Sequence, residues 1–152
     1  IGLSPTILPT TGSLSFDLPD GEMEIGIGIH GEPGIHRGAL EPADAITERL
    51  VGALIDDLGL TEGDRVAILV NGMGATPLEE LYVMYRRAHQ ILSDHGVTVS
   101  KNYVGEYATS LEMAGASISL LKLNDERLAL LQAPAASPLC LTRRLRCSSR
   151  MF

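Results

Sequence analysis

The chain has 152 residues, 45% of them hydrophobic and 20% charged, with a formal net charge of −7 at pH 7. That length suits one globular domain and not two full ones, and no stretch approaches the roughly 20 consecutive apolar residues of a membrane-spanning helix, so no membrane association is expected. Four arginines (Arg143, Arg144, Arg146 and Arg150) lie in the last ten positions, where there is no Asp or Glu; the acidic remainder repels a phosphate backbone, and nucleic-acid binding is not expected.

The opening residues lack a basic segment followed by an unbroken apolar run, so no secretory signal is read there. The chain starts Ile1-Gly2-Leu3 without Met, which suggests a fragment. Residues 1–21 are rich in Pro, Thr, Ser and Gly, and predict an extended surface segment that turns at Pro19-Asp20-Gly21. From Met23 to Ile29, Met23, Ile25, Ile27 and Ile29 alternate with Glu24, Gly26 and Gly28. This is the period-two pattern of a strand with one buried face. Glycines on its other face suggest a close approach by backbone or ligand. The strand runs into a loop, His30-Gly31-Glu32-Pro33-Gly34.

Asp44 to Leu58 predicts a helix, with Ile46, Leu50, Leu54 and Leu58 four apart and Gly59 as its stop. Arg65 to Val70 contains an apolar, β-branched run suited to a central strand buried on both faces. Asn71-Gly72-Met73-Gly74-Ala75 is a second glycine-bearing loop. It lacks the Gly-Lys-Ser/Thr ending of a phosphate loop, so it reads as a tight strand-to-helix turn. Thr76 and Glu79 predict a capping box, with Pro77 at the first helical position. Leu78, Leu81, Tyr82, Tyr85, Ala88 and Leu92 would line one face of this helix, and Gly96 would end it.

Val97 to Tyr107 is strand-like, and Thr109 to Gly115 reads as a turn or short helix. Ser117–Leu123 and Arg127–Leu131, separated by Asn124-Asp125, read as a closing hairpin. Residues 135–152 have no periodicity and form an atypical, flexible tail. Cys140 and Cys147 fall in that tail, with a spacing unlike usual zinc patterns, and read as incidental thiols of a reducing cytoplasm. The order of elements implies an α/β domain with a mixed sheet, helices mainly on one face, and the other face left for a partner.

The chemistry concentrates in the first loop. His30 would stand at the carboxyl edge of a strand, where open α/β sheets bind ligands. Gly31 and Gly34 let that loop bend and let a small ligand approach, while Pro33 stiffens it. A histidine with an ordinary pKa near 6.5 is mostly unprotonated at pH 7 and can act as nucleophile or base; the bland alternative is a ring bonded to loop backbone. A metal cluster of His30, Glu32 and His36 is not expected, because neither spacing nor a third ligand supports one. His89 and His95 read as exposed or helix-end residues, and Glu79, Glu80 and Glu112 as capping or solvated groups.

Met23-Glu24-Ile25-Gly26-Ile27-Gly28-Ile29-His30-Gly31-Glu32-Pro33-Gly34 resembles the dihydroxyacetone-binding subunit of dihydroxyacetone (glycerone) kinases, in its carboxyl-terminal half. Asn71 to Tyr82 and Tyr107 to Gly115 resemble the same family, in the same order, so the likeness spans residues 1–134. It implies a two-layer α/β domain with a six-stranded mixed sheet. It implies that His30 anchors dihydroxyacetone covalently as a hemiaminal, with His30 and Gly31 binding the substrate, for phosphoryl transfer to its hydroxyl in the cytoplasm. It implies a homodimer and no cofactor or metal on this domain. The phosphoryl donor, ATP or a phosphotransferase-system protein, would sit on a separate nucleotide-binding domain or subunit. The acid–base pair would belong to an amino-terminal domain outside this chain, so the chain alone is expected to be inactive. The alternative is a non-catalytic dihydroxyacetone-binding sensor or coactivator.

Overall fold

The computed structural model describes residues 1–29, 32–136, 141 and 142. His30, Gly31, the two cysteines and the tail arginines lie outside the described residues. Two compact units are present, residues 1–122 and 123–152.

In the first unit, β1 (Glu22–Ile25) pairs antiparallel with β2 (His36–Ala39), with Glu24 opposite Arg37. Helix α1 (Ala43–Leu58) leads to β3 (Arg65–Gly72), helix α2 (Leu78–Asp94) to β4 (Thr98–Gly105), and β5 begins at Ala116 and runs to Leu123. β3 lies between β4 and β5, and its pairing with β4 is parallel. α2 packs on β3 and β4, and α1 packs on α2. The mixed α/β class and the helical layer agree with the sequence. The described strands fall into a three-stranded sheet and separate two-stranded ribbons.

What lies between those sheets is the amino-terminal segment. Gly2 exchanges hydrogen bonds with Glu24 of β1 (2.9 and 3.0 Å). On its other side the Ile1 carbonyl accepts from Ala116 N–H at 3.0 Å, and Leu3 N–H donates to the Ala114 carbonyl at 2.7 Å. Residues read as an extended surface segment therefore begin as an interior connection: Ile1 is buried and belongs to the core with Met23, Val66, Ile68, Leu81 and Leu92.

Several local expectations are corrected. β1 stops at Ile25, because Gly26 takes φ +81° and the Ile25 carbonyl accepts Ile35 N–H at 2.8 Å, folding the chain back on itself. Ile27 stays buried, but Ile29 is exposed, which breaks the alternation. The close approach expected at Gly26 is real: a Cβ there would lie 3.2 Å from the Ile35 backbone nitrogen. α2 buries Leu81, Met84, Ala88 and Leu92, while Leu78 and Tyr82 face outward. No side chain caps its start, since the Thr76 hydroxyl is bonded to Gly115 instead, donating to its carbonyl at 2.7 Å and accepting its N–H at 2.9 Å. α1 buries Ile46, Thr47, Val51 and Ile55, a stripe turned from the leucine row. Gly59 takes the left-handed conformation and ends it as expected.

In the second unit, the expected hairpin partner is helix α3 (Asp125–Leu131). Asn124 is extended and its side chain accepts Arg127 N–H, and Asp125 and Glu126 occupy the first turn, an arrangement that starts a helix and not a β-turn. Ala135–Ala136 (β6) and Leu141–Thr142 (β7) form a short antiparallel pair.

Candidate functional site

β3 and β4 run parallel, so their carboxyl ends open on the same side, where α/β sheets place their ligands. Two of the three motif loops leave from these ends. They are fastened to each other by Asn71, the penultimate residue of β3, which is buried. Its side-chain oxygen accepts the N–H groups of Tyr107 and Ala108 at 2.8 and 2.9 Å, and its amide nitrogen donates to the Ala108 carbonyl at 2.7 Å. Three hydrogen bonds from one amide nearly exhaust what an asparagine side chain can make.

Backbone bonds continue the seam. Ser110 N–H donates to the Met73 carbonyl at 2.8 Å, and Ala75 N–H to the Met113 carbonyl at 3.1 Å. Gly74 has φ +125° and lies against the Leu111 carbonyl, which would collide with any Cβ there. Leu111 itself has φ +53°, the single non-glycine residue at positive φ among the described residues. Backbone strain of this kind persists only where neighbours hold it.

The loop that carries the candidate nucleophile joins this pair through its described flanks. Gly28 N–H donates to the Glu32 carbonyl at 3.1 Å and closes the loop's neck. Ser110 Oγ donates to the Ile29 carbonyl at 2.5 Å. At the far end, Gly34 N–H donates to Glu24 Oε1 at 2.5 Å, while Arg37 donates to Glu24 Oε2 through Nη2 at 2.6 Å and Nε at 3.1 Å. Glu24 is a buried acid, 5% exposed. The Gly34 N–H, and after it Arg37, hold its pKa below the ordinary glutamate value despite the opposing effect of burial. Gly34 is needed for space, since a Cβ would lie 2.6 Å from Glu24 Cγ.

Ile29, Thr109, Ser110 and Leu111 meet Thr6, Leu8 and Ser15 of the amino-terminal segment around a cavity of about 280 Å³. Among the described residues its wall has four hydroxyl-bearing and three aliphatic side chains. Such a lining suits a small molecule with hydroxyl groups. Of the sequence-predicted site residues, His30 and Gly31 lie outside the described residues, but both neighbours that flank them in the chain, Ile29 and Glu32, take part in the bonds above. His36 sits on β2, and among the described residues no three His, Cys, Asp or Glu side chains gather as a metal site. Sequence reasoning missed Glu24, Asn71, Thr76 and Ser110 as supports. The one available signal was that each lies inside a motif already singled out.

His95 Nε2 lies 3.0 Å from the Leu60 carbonyl, at the end of α2. The exposed Glu112 accepts Ile7 N–H at 2.8 Å, which lowers its pKa. No helix among the described residues is long and apolar enough to cross a membrane.

The Dak1 domain family model matches residues 1–139. A PTS-dependent dihydroxyacetone kinase dihydroxyacetone-binding subunit from Listeria innocua is 46% identical over 138 residues, covering 91% of this chain and 42% of the relative. The dihydroxyacetone-binding subunit of the PEP-dependent dihydroxyacetone kinase of Escherichia coli is 40% identical, covering 91% of this chain and 46% of that one. Among solved structures, the dihydroxyacetone kinase operon co-activator Dha-DhaQ superposes with a TM-score of 0.79 at 33% identity, over 88% of this chain and 42% of that one. The chain thus spans less than half the length of these relatives.

Proposed function

The chain belongs to the Dak1 domain family, and from that membership and the loop geometry we propose that it is the carboxyl-terminal domain of the dihydroxyacetone-binding part of a dihydroxyacetone kinase. Residues 1–134 would form this domain, with residues 135–152 a separate appendage to it. In this reading an unprotonated ring nitrogen of His30 adds to the ketone carbon of dihydroxyacetone. The carbonyl π electrons move to oxygen, which gains a proton as the ring's other nitrogen releases one, and a neutral hemiaminal results without loss of water. Gly31, which has no side chain, would let the substrate approach the ring. Glycerol has no carbonyl to attack, so covalent capture separates the two compounds better than hydroxyl contacts could. Once captured, the substrate is oriented for phosphoryl transfer to its terminal hydroxyl.

The observation that carries this reading is the meeting of the first and third motif loops around one cavity, with the residue before His30 in its wall and the second motif loop bonded to the third. The donor, ATP or a phosphotransferase-system protein, would act from a separate domain or subunit in the cytoplasm, and the remaining catalytic groups would come from an amino-terminal domain. The chain alone is therefore expected to be inactive. Exposed Leu78, Tyr82 and Val83 on α2 support contact with such a domain or with the second subunit of a homodimer. The bonds of Ile1–Leu3 to β1 and β5 support a six-stranded mixed sheet in the order β2, β1, residues 1–3, β5, β3, β4.

Intact-mass measurement after mixing with dihydroxyacetone tests the proposal. An increment of one whole dihydroxyacetone molecule on the native chain, absent from His30→Ala, is expected. An increment that survives the substitution overturns it, as does no increment when this chain is joined to its amino-terminal domain. A second reading, a non-catalytic dihydroxyacetone-binding coactivator, is favoured by the structural likeness to the co-activator. Both readings keep the adduct. Phosphorylated product in the presence of a competent donor and the amino-terminal domain distinguishes the kinase.

A further inference from the structure

We infer that Ser110 is a positioning residue for His30, an inference that rests on the role proposed for that histidine. Ser110 is 8% exposed, and its own backbone is fixed to the loop after β3 by the bond from its N–H to the Met73 carbonyl. From that fixed base its hydroxyl donates to the Ile29 carbonyl, 81 residues away in sequence. The Ile29 carbonyl belongs to the peptide unit that leads into residue 30. That unit is planar, so holding its oxygen also holds the direction in which the chain enters the next Cα.

The other two fastenings of the loop act on different atoms. The bond between Gly28 and Glu32 closes the neck, and Glu24 holds Gly34 at the far end. Neither acts on the Ile29 carbonyl, which is the atom that Ser110 holds. Covalent capture requires the attacking nitrogen about 3–3.5 Å from the carbonyl carbon and in line with it, and a small misplacement lowers the rate steeply. Ser110 thus sets the reach of the nucleophile through the backbone. A residue that only lined the cavity for substrate would leave the histidine unchanged when no ligand is bound.

That difference supplies the test. The full chain, carrying isotope-labelled histidine rings, is titrated with pH by NMR in the absence of ligand. Ser110→Ala, and Ser110→Cys with its weak donor, are expected to shift or split the His30 ring signal and move its titration midpoint. The signals of His36, His89 and His95 should stay in place. Ser110→Thr, which keeps the hydroxyl, should restore the native His30 signal. A His30 signal in Ser110→Ala that superimposes on the native one throughout the titration overturns the inference. Should Ser110→Ala disturb all four histidines, the Cys and Thr variants decide by the same criterion. The mass increment of the native chain is read separately, so loss of the proposed His30 chemistry is distinguishable from loss of its positioning by Ser110.

Discussion

Gly34 sits where the Ile25 carbonyl and the Glu24 side chain close on the backbone, and it leaves no space for a methyl group. Gly34→Ala should destabilise the chain by about 1–3 kcal/mol through overpacking, measurable as a lower urea midpoint with an unchanged slope. Glu24, on the other side of that contact, ties stability to acid. Its carboxyl is held below its ordinary value of 4.5 in the folded chain. Its contribution is therefore present above that value and is lost as pH falls through the lower folded one. Glu24→Gln should flatten the acid limb of the stability profile below pH 4.5. At neutral pH it should cost about 1–3 kcal/mol by weakening the bonds to Gly34 and Arg37. Unfolding measured between neutral pH and the acid limb checks both expectations.

At the scale of elements, the start of α2 shows how a sequence motif can be assigned to the wrong partner. Thr76 and Glu79 have capping-box spacing, yet the Thr76 hydroxyl joins the turn to Gly115 across 39 residues. Thr76→Val should therefore cost about 1–3 kcal/mol, because the Gly115 N–H loses its partner while the Gly115 carbonyl keeps the Met73 N–H. Helical circular dichroism should stay unchanged. Thr76→Ser should recover most of the loss. A frayed α2 in the valine variant would restore the capping reading. Asn124 is the converse case, a turn-like residue that starts α3. Asn124→Ala should remove about 1 kcal/mol from that short helix, visible as faster amide exchange over Asp125–Leu131.

At the scale of the whole molecule, residues 1–3 link the β1–β2 ribbon to β5: Gly2 exchanges hydrogen bonds with Glu24, and the Ile1 carbonyl accepts Ala116 N–H. Replacing buried Ile1 by Ala should destabilise the chain by about 2–4 kcal/mol, read as a lower urea midpoint with an unchanged slope.

The local sequence sufficed for α1, for the buried run of β3 and for the stop at Gly59, because side-chain periodicity and a left-handed glycine are consequences of a few neighbouring residues. The motif order likewise pointed to the three loops that converge at one end of the sheet. What it could not settle was partnership at long range. Glu24 read only as a position on the strand's other face, but pairing with β2 and the return of Gly34 made it a buried anchor. Asn71 read as the first residue of a tight turn, yet its amide is committed to Tyr107 and Ala108; only the parallel pairing of β3 with β4 brings that segment within reach. Residues 1–3 resembled surface coil because their burial comes from strands that follow them by twenty and by more than a hundred positions. Periodicity reports that an element exists and has a buried side, whereas a hydrogen bond between distant loops exists only after the sheet has brought them together.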